Sequence, residues 1–324
     1  MNILNGLSVP YFVDKIRDKL ERKSNKDHYH YLNLFNEHNF LVSGNPSFYV
    51  NGSTGTDSFD DPEQGIYWDK PFKTINRALD VVKASVNNRS SIYVAPGTYN
   101  ETFTVYGVST VSIVGVSDAL FTPADPETVI INGGSSQAFV FLVSGGSVLN
   151  VKNLKILSTT YQNPAEALYS GIFQASAATI IGENIIAETR SRHSHIVYST
   201  TGSHVQLSGR FTIRGNTAAS LFAAHTFGNI YLFTTVNPDP TTGIYIQDTI
   251  TLYNTSANAP AGSGALVRLW RAGNCMINYN PMGKGVGAIT GYKYNIDTNG
   301  SLGQQTYLPA TSVAGIVAAP GTVS

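Results

Sequence analysis

The sequence predicts an all-β protein, a right-handed parallel β-helix with a short helical N-terminal segment and an N-terminal capping helix. Composition is the first reason for this prediction, since the 324 residues include 30 Gly, 18 Tyr and 15 Phe. Tyrosine and phenylalanine favour strands, whereas glycine favours turns. Because 42% of the residues are hydrophobic and only 13% are charged, the chain can bury a large core and is not a disordered one.

An internal repeat is the second reason. Several segments share an apolar alternation, a break at a polar pair or a glycine, and a second apolar alternation. The first four start 31, 26 and 25 residues apart. This period is too short for propeller blades, and it favours coils of two or three short strands that stack in parallel. The segments are SVLNVKNLKI (147–156), ATIIGENIIA (178–187), HVQLSGRFTI (204–213) and NIYLFTTVNP (229–238), preceded by STVSIVG (109–115) and followed by TGIYIQDTITLYN (242–254) and ALVRLWRAGNCMINY (265–279).

Residues 1–45 are predicted to form a separate helical segment. In VPYFVDKIRDKLERKS, Phe12, Ile16 and Leu20 are four residues apart and charged residues occupy the other faces, which is the pattern of an amphipathic helix. A segment this short has no domain-sized core of its own. We therefore expect it to pack on another chain or domain and to serve in attachment or trimerisation.

A capping helix is predicted after a first strand at FYV (48–50) and a long polar loop. The helix lies in KTINRALDVVKASV, with Thr74 as its N-cap. The open end of a β-helix exposes strand edges and core side chains, so this helix is expected to lie across the first coil and close it. Its predicted apolar face consists of Ile75, Ala78, Leu79, Val82 and Val86.

The β-helix itself is predicted to span residues 46–290. SIYVAPGTYNETFTV starts the stack with an alternating strand, a Pro-Gly turn and a second alternating strand. Residues 291–324 are predicted to be a strand and an extended tail that completes a trimer. After Leu308 this tail has no charged residue and too little bulk to fold alone.

Two stretches carry a resemblance to known proteins. FYVNGSTGTDSFDD, KPFKTINRALD and SIYVAPGTYNE together resemble the opening segment of pectate-lyase-like right-handed β-helix proteins. That group includes polysaccharide lyases and hydrolases, bacterial surface proteins, and the tailspikes and tail fibres of bacteriophages. The C-terminal GAITGYKYNIDTNGSLGQQTYLPATSVAG is similar to the closing segments of phage tail proteins.

The resemblance implies a virion protein of a phage tail, a homotrimeric spike or fibre that binds host-surface glycans and requires no cofactor. Residues 1–45 would attach it to other tail or baseplate proteins. A polysaccharide depolymerase on the same fold is the first alternative, and a bacterial surface adhesion protein is the second. Nothing visible resembles a secretory signal, so synthesis in the bacterial cytoplasm is expected.

Charge and cysteine content narrow the partners. The chain has 21 basic and 21 acidic residues, which does not favour nucleic acid or an anionic membrane. The longest apolar run, AFVFLV at 138–143, is too short to span a bilayer, so membrane insertion is not expected. The single cysteine, Cys275, excludes an intrachain disulfide framework and a cysteine-based zinc site.

The candidate catalytic residues lie in ENIIAETRSRHSHIVY and are Glu183, Glu188, Arg190 and Arg192. A lyase of this fold uses a basic residue to take a proton and carboxylates to neutralise a uronate. However, residues 189–238 contain no Asp or Glu, whereas a paired-carboxylate site needs acids from adjacent coils. A solvated charged face or salt bridges between subunits is the favoured interpretation.

Two further clusters are candidates for binding. Asp57, Asp60 and Asp61 could wrap a calcium ion, but the calcium-loop pattern is incomplete and Asx-type turns are favoured. Trp270, flanked by Arg268 and Arg271, could stack on a sugar ring. An interface anchor between subunits is an equally good interpretation of this tryptophan.

Overall fold

The computed structural model describes most of the chain between residues 47 and 233 and short strands beyond it. Parallel strands stack coil on coil, which is consistent with the predicted parallel β-helix. The predicted N-terminal segment, 1–45, lies outside the described residues. These are 47–58, 61, 63–84, 89–107, 109–133, 139–158, 170–189, 194–213, 222–233, 243–246, 250–252, 267–270, 274–278, 289–291, 294–296, 301–304, 316–318 and 322–323.

The first sheet runs through the whole stack and carries the repeat. Its strands all pair in parallel, each with the corresponding strand of the next coil. They are β1 (Ser47–Val50), β2 (Arg89–Val94), β5 (Thr110–Gly115), β8 (Val148–Lys152), β11 (Thr179–Thr189), β13 (His204–Ile213), β15 (Asn229–Phe233), β19 (Asn274–Asn278), β22 (Ser301–Gln304) and β24 (Thr322–Val323).

Two further sheets complete each coil. The second sheet is continuous with the first, because β11 and β13 bend at a corner and run through both. Its other strands are β3 (Gly97–Tyr99), β6 (Val129–Gly133), β9 (Lys155–Ser158) and β16 (Gly243–Ile246). The third sheet contains β4 (Phe103–Val105), β7 (Phe139–Ser144), β10 (Ser170–Ser176), β12 (Ser194–Thr200), β14 (Phe222–His225), β18 (Val267–Trp270), β21 (Tyr294–Ile296) and β23 (Ile316–Ala318), and β17 (Ile250–Leu252) pairs with β20 (Ile289–Gly291).

The register of the first sheet agrees with the predicted repeat except for one slip. Val148, Thr179, His204 and Asn229 occupy equivalent positions, so the spacings are 31, 25 and 25 residues. The second spacing differs from the predicted 26 because β11 contains a bulge between Gly182 and its second half. A bulge adds a residue to one strand of a pair, so an alignment made at the corner shifts the strand by one.

The core consists of aligned apolar side chains from successive coils. On the third sheet the ring centroids of Phe103 and Phe141 are 4.9 Å apart, and those of Phe141 and Phe173 are 5.4 Å apart. Ile92 and Ile113 are register partners on the first sheet and are fully buried. Each such side chain contributes about 1.5–3 kcal/mol through its removal from water.

The predicted capping helix is confirmed as α1 (Ile75–Ala84), which packs against β1 and β2. Its N-cap is Thr74, because the backbone N–H of Arg77 donates to the Thr74 hydroxyl at 3.2 Å. The Glu101 carboxylate accepts hydrogen bonds from the N–H groups of Ile75 (3.0 Å) and Asn76 (2.7 Å). Burial raises the pKa of Glu101, although these two backbone hydrogen bonds oppose that shift. Val86 lies outside the described residues.

Asparagines stabilise the corner between the first and second sheets. Asn153 and Asn184 have left-handed backbone angles, with φ of 55° and 50°, which asparagine tolerates better than most residues. The Asn184 side chain donates to that of Asn153 at 2.9 Å. In the next coil the corner is Gly209, where a Cβ would lie 2.0 Å from the carbonyl oxygen of Ile185. No described helix is long and apolar enough to cross a membrane.

Candidate functional site

Two tyrosines lie side by side on the outer surface of the first sheet. Tyr49 of β1 and Tyr93 of β2 are register partners, while their strand neighbours point into the core. This alternation follows from the period of two in a β-strand. The two rings are stacked, with centroids 5.9 Å apart and an interplanar angle of 27°.

Two loops add further rings to this pair. The Phe121 ring lies 4.4 Å from that of Tyr93 and 5.9 Å from that of Tyr49. Trp68 meets Tyr49 edge-on, with the centroids 5.9 Å apart. We call Tyr49, Trp68, Tyr93 and Phe121 the aromatic platform. Burial, and next the charge of Tyr93, raise the pKa of the Tyr49 hydroxyl, so this group is uncharged at neutral pH.

The loop that carries Phe121 is held in a costly conformation. Phe121 has a φ of 61°, which is a genuine outlier for a bulky side chain. The Asp118 carboxylate holds the turn by accepting hydrogen bonds from the N–H groups of Leu120 (2.9 Å) and Thr122 (3.2 Å). As a result, Leu120 is 86% exposed and Phe121 is 41% exposed. The loop presents apolar surface to the solvent instead of burying it.

Polar side chains follow the platform along the outer surface of the same sheet. Hydrogen bonds between coils order part of this row, since the Asn150 amide donates to the Ser112 hydroxyl at 3.2 Å. Hydroxyl and amide groups of this kind can both donate and accept hydrogen bonds. The row, read across register partners from β1 to β15, is Ser47, Ser91, Ser112, Asn150, Ile181, Gln206 and Tyr231.

Two groups of charges lie beyond the platform. On the first sheet, the Lys152 ammonium is 2.6 Å from the Glu183 carboxylate of the next coil. Near the second sheet, Glu127 pairs with Lys155 at 2.5 Å and also with Arg210. Burial raises the pKa of Glu127, but the hydrogen bonds and charges of Lys155 and Arg210 outweigh it and hold the pKa below its usual value.

The predicted catalytic acids are not brought together. Glu183 lies at the end of the first half of β11 and pairs with Lys152. Glu188 lies in the second half of β11, beyond the corner, in register with Leu157 and Thr212. Its side chain is only 2% exposed. Arg190 and Arg192 lie outside the described residues, so the proposed lyase arrangement stays a prediction.

The predicted calcium ligands have structural roles where the structure describes them. One Asp57 oxygen accepts hydrogen bonds from the N–H groups of Lys73 and Thr74 at 2.8 Å and 3.1 Å, at the start of α1. Asp61 accepts the N–H of Glu63 and lies 3.2 Å from Lys70. The described part of the chain has no group of three or more metal-ligating side chains. Asp60 lies outside it, so this site is untested.

The tryptophan proposed to stack on a sugar lies on the third sheet. Trp270 ends β18 in register with His225, and Arg268 is in register with Ala223. Arg271 lies outside the described residues. The described rings of the aromatic platform are therefore at another place, near the start of the stack on the first sheet.

Sequence reasoning missed the aromatic platform. The signal for one half of it is present, since SFYV and SSIYV place a tyrosine at the same alternating position in two strands. The register that joins these strands skips residues 51–88, which include α1. Trp68 and Phe121 reach the platform from loops, and no periodic pattern predicts where a loop side chain lies.

The comparisons with known proteins place the chain in a family. The family model that matches covers residues 55–259, more than half of the 324-residue chain. The family is described as "Protein of unknown function (DUF1565)", and the chain belongs to it. No curated protein and no solved structure matches the chain. Its function therefore has to be argued from the site.

Proposed function

We propose that this protein is a virion protein of a phage tail, a spike or fibre that binds glycans of the host surface through the aromatic platform. The single observation that carries the glycan-binding part is the exposed aromatic cluster beside a row of hydroxyl and amide side chains on one sheet. The virion part rests on the resemblance of the opening and closing segments to phage tail proteins.

The chemistry of a sugar matches both parts of this surface. A pyranose ring has an apolar face of C–H groups, which packs on an aromatic ring, and a rim of hydroxyl groups, which need donors and acceptors. Phe121, with its ring partly exposed, supplies the first kind of contact. Ser112 and Asn150 lie on neighbouring coils of the same sheet and supply the second.

The wider proposal follows the predicted division of the chain. Residues 1–45 attach to other tail or baseplate proteins, the stacked coils form the shaft, and three copies assemble side by side. The coils wind in the right-handed sense, which parallel crossover connections adopt in about 98% of cases. Binding of this kind uses protein groups alone and needs no cofactor.

Binding by the platform can be tested with two alanine variants, Trp68→Ala and Phe121→Ala. Wild-type protein should be retained by one or more polysaccharides in affinity electrophoresis. Each variant should bind roughly fivefold to tenfold more weakly, because an aromatic contact of about 1 kcal/mol or more is lost.

Thr98→Ala is the matched control, because Thr98 is exposed on the second sheet. Melting curves of all three variants establish that they fold. Unchanged retention of the folded platform variants would contradict the proposed site. Shortening of the bound polysaccharide during the experiment would identify the protein as a depolymerase, the alternative on this fold.

A further inference from the structure

The charges around the aromatic platform are unbalanced. The loops that carry Trp68 and Phe121, residues 61–70 and 117–125, contain five acidic residues and one basic residue. The one base, Lys70, lies between two of the acids, 2.7 Å from Glu63 and 3.2 Å from Asp61. The five acids are Asp61, Glu63, Asp69, Asp118 and Asp125.

One of these acids is directly beside the platform and stays ionised. Asp118 is three residues before Phe121 and holds the turn that presents it. The hydrogen bonds from Thr122 hold the pKa of Asp118 below its usual value. A carboxylate at this position repels a second carboxylate within a Debye length, which is about 8 Å at physiological ionic strength.

The bases along the same surface do not compensate for this excess. Lys152 is two coils from Tyr93 and is paired with Glu183 at 2.6 Å. Arg89 starts β2, four residues before Tyr93, which places it about 13 Å away along the strand. Lys155 and Arg210 lie on the second sheet and contact Glu127.

We propose that the platform selects neutral glycans and excludes acidic ones, such as polymers of uronic acids or chains with acidic side groups. This inference rests on the proposed glycan binding and names the class of sugar. A bound polyanion would bring its carboxylates next to the acids of the two loops and would find no unpaired cation within reach. A neutral glycan uses the aromatic faces and the hydroxyl and amide row without that repulsion.

The test compares neutral and acidic polysaccharides against matched charge variants. Dextran, mannan and a mixed-linkage β-glucan serve as neutral probes, and polygalacturonate and alginate serve as acidic probes. Affinity electrophoresis of the full chain is run at low and at physiological ionic strength. We expect wild type to bind a neutral probe at both ionic strengths and not to bind either acidic probe.

Glu183→Gln leaves Lys152 without its partner and should improve binding of the acidic probes at low ionic strength, by roughly twofold to fivefold. Lys152→Ala, the matched control, removes the cation and should give no such gain. Because salt screens exposed charges, the gain should disappear at physiological ionic strength.

The outcomes separate this inference from the proposed function. Tighter binding of an acidic probe than of the neutral probes by wild type would overturn the inference and would still support a glycan site. The absence of retention by every probe would overturn both. Loss of neutral binding in Phe121→Ala, together with the expected gain in Glu183→Gln, would support both.

Discussion

At the scale of single residues, Phe121 combines two unfavourable features in one side chain. A left-handed backbone angle in a bulky residue costs on the order of 1–3 kcal/mol, and the ring remains partly exposed. The turn around Asp118 and the stacking on Tyr93 hold this arrangement in place. Strain of this kind persists only where the surroundings stabilise it, and it is concentrated at functional sites. Phe121 is therefore the residue on which the proposed binding depends most.

Glu127 should make the stability of the protein depend on pH. Its pKa is lower in the folded than in the unfolded state, so its stabilisation is present above the unfolded value, about 4.3. This stabilisation is lost as the pH falls through the folded pKa. Since its side chain is 40% exposed, we expect at most about 1 kcal/mol. Glu127→Gln should lower the free energy of unfolding by that amount at pH 7 and by almost nothing at pH 3.

Denaturant unfolding at several pH values measures this difference. Asp69→Asn is the control, because Asp69 is also an exposed acid and belongs to the first-sheet loops. The interpretation fails if wild type and Glu127→Gln differ equally at pH 7 and pH 3.

At the scale of elements, the parts with strong periodicity were predictable. The apolar face of α1 repeats at helical spacing and Thr74 precedes it, so both the helix and its N-cap followed from the sequence. The role of Glu101 did not. It reaches the start of α1 from a position 26 residues after Ile75, and only the coiling of the chain brings the two together. Contacts that depend on tertiary structure leave no local pattern.

Glu101→Ala should destabilise α1 and the end of the stack that it covers. The substitution leaves the N–H groups of Ile75 and Asn76 without their carboxylate acceptor at the positive end of the helix. We expect the free energy of unfolding to fall by about 1–2 kcal/mol at pH 7. Thermal or urea unfolding followed by circular dichroism measures the change, with Thr98→Ala as the control. Equal stability of Glu101→Ala and wild type would mean that Thr74 alone caps the helix.

The corner between the first and second sheets explains the one error in the repeat. Asn184 and the residue before it add a bulge to β11, whereas Gly209 turns the corresponding corner of β13 with one residue fewer. Both solutions give the chain a left-handed or unusual backbone angle, but they differ in length. A sequence alignment treats the two corners as equal, so it places the strand boundary one residue late.

At the scale of the whole molecule, the order of stacked coils was predictable and the site was not. Strands of the first sheet recur from Ser47 to Val323, and those within 291–324 continue the parallel pairing with earlier coils. The repeat carries this information because every coil must bury the same apolar face. The site depends instead on which side chains of unrelated loops meet on the outer surface, such as Trp68 and Phe121, and no repeat specifies that.

The predicted trimer is the assembly on which the virion proposal depends. One chain has a mass of 34.8 kDa, so three copies have a mass of about 104 kDa (3 × 34.8). Light scattering of the purified full chain should give this value, and the species should persist on mild heating in detergent. Ile16→Asp places a charge on the apolar face of the predicted N-terminal helix and should shift the mass towards one chain, because burial of an unpaired carboxylate is unfavourable.

Asp18→Asn, a change on the polar face of the same predicted helix, should leave the mass at the trimer value. The two faces differ because residues two apart on a helix point in nearly opposite directions. A wild-type mass near 34.8 kDa would contradict the trimer and with it the spike. It would favour a single-chain glycan-binding protein whose aromatic platform acts alone. A trimeric mass in both variants would retain the spike but move the contact between subunits from residues 1–45 to the coils or the C-terminal strands.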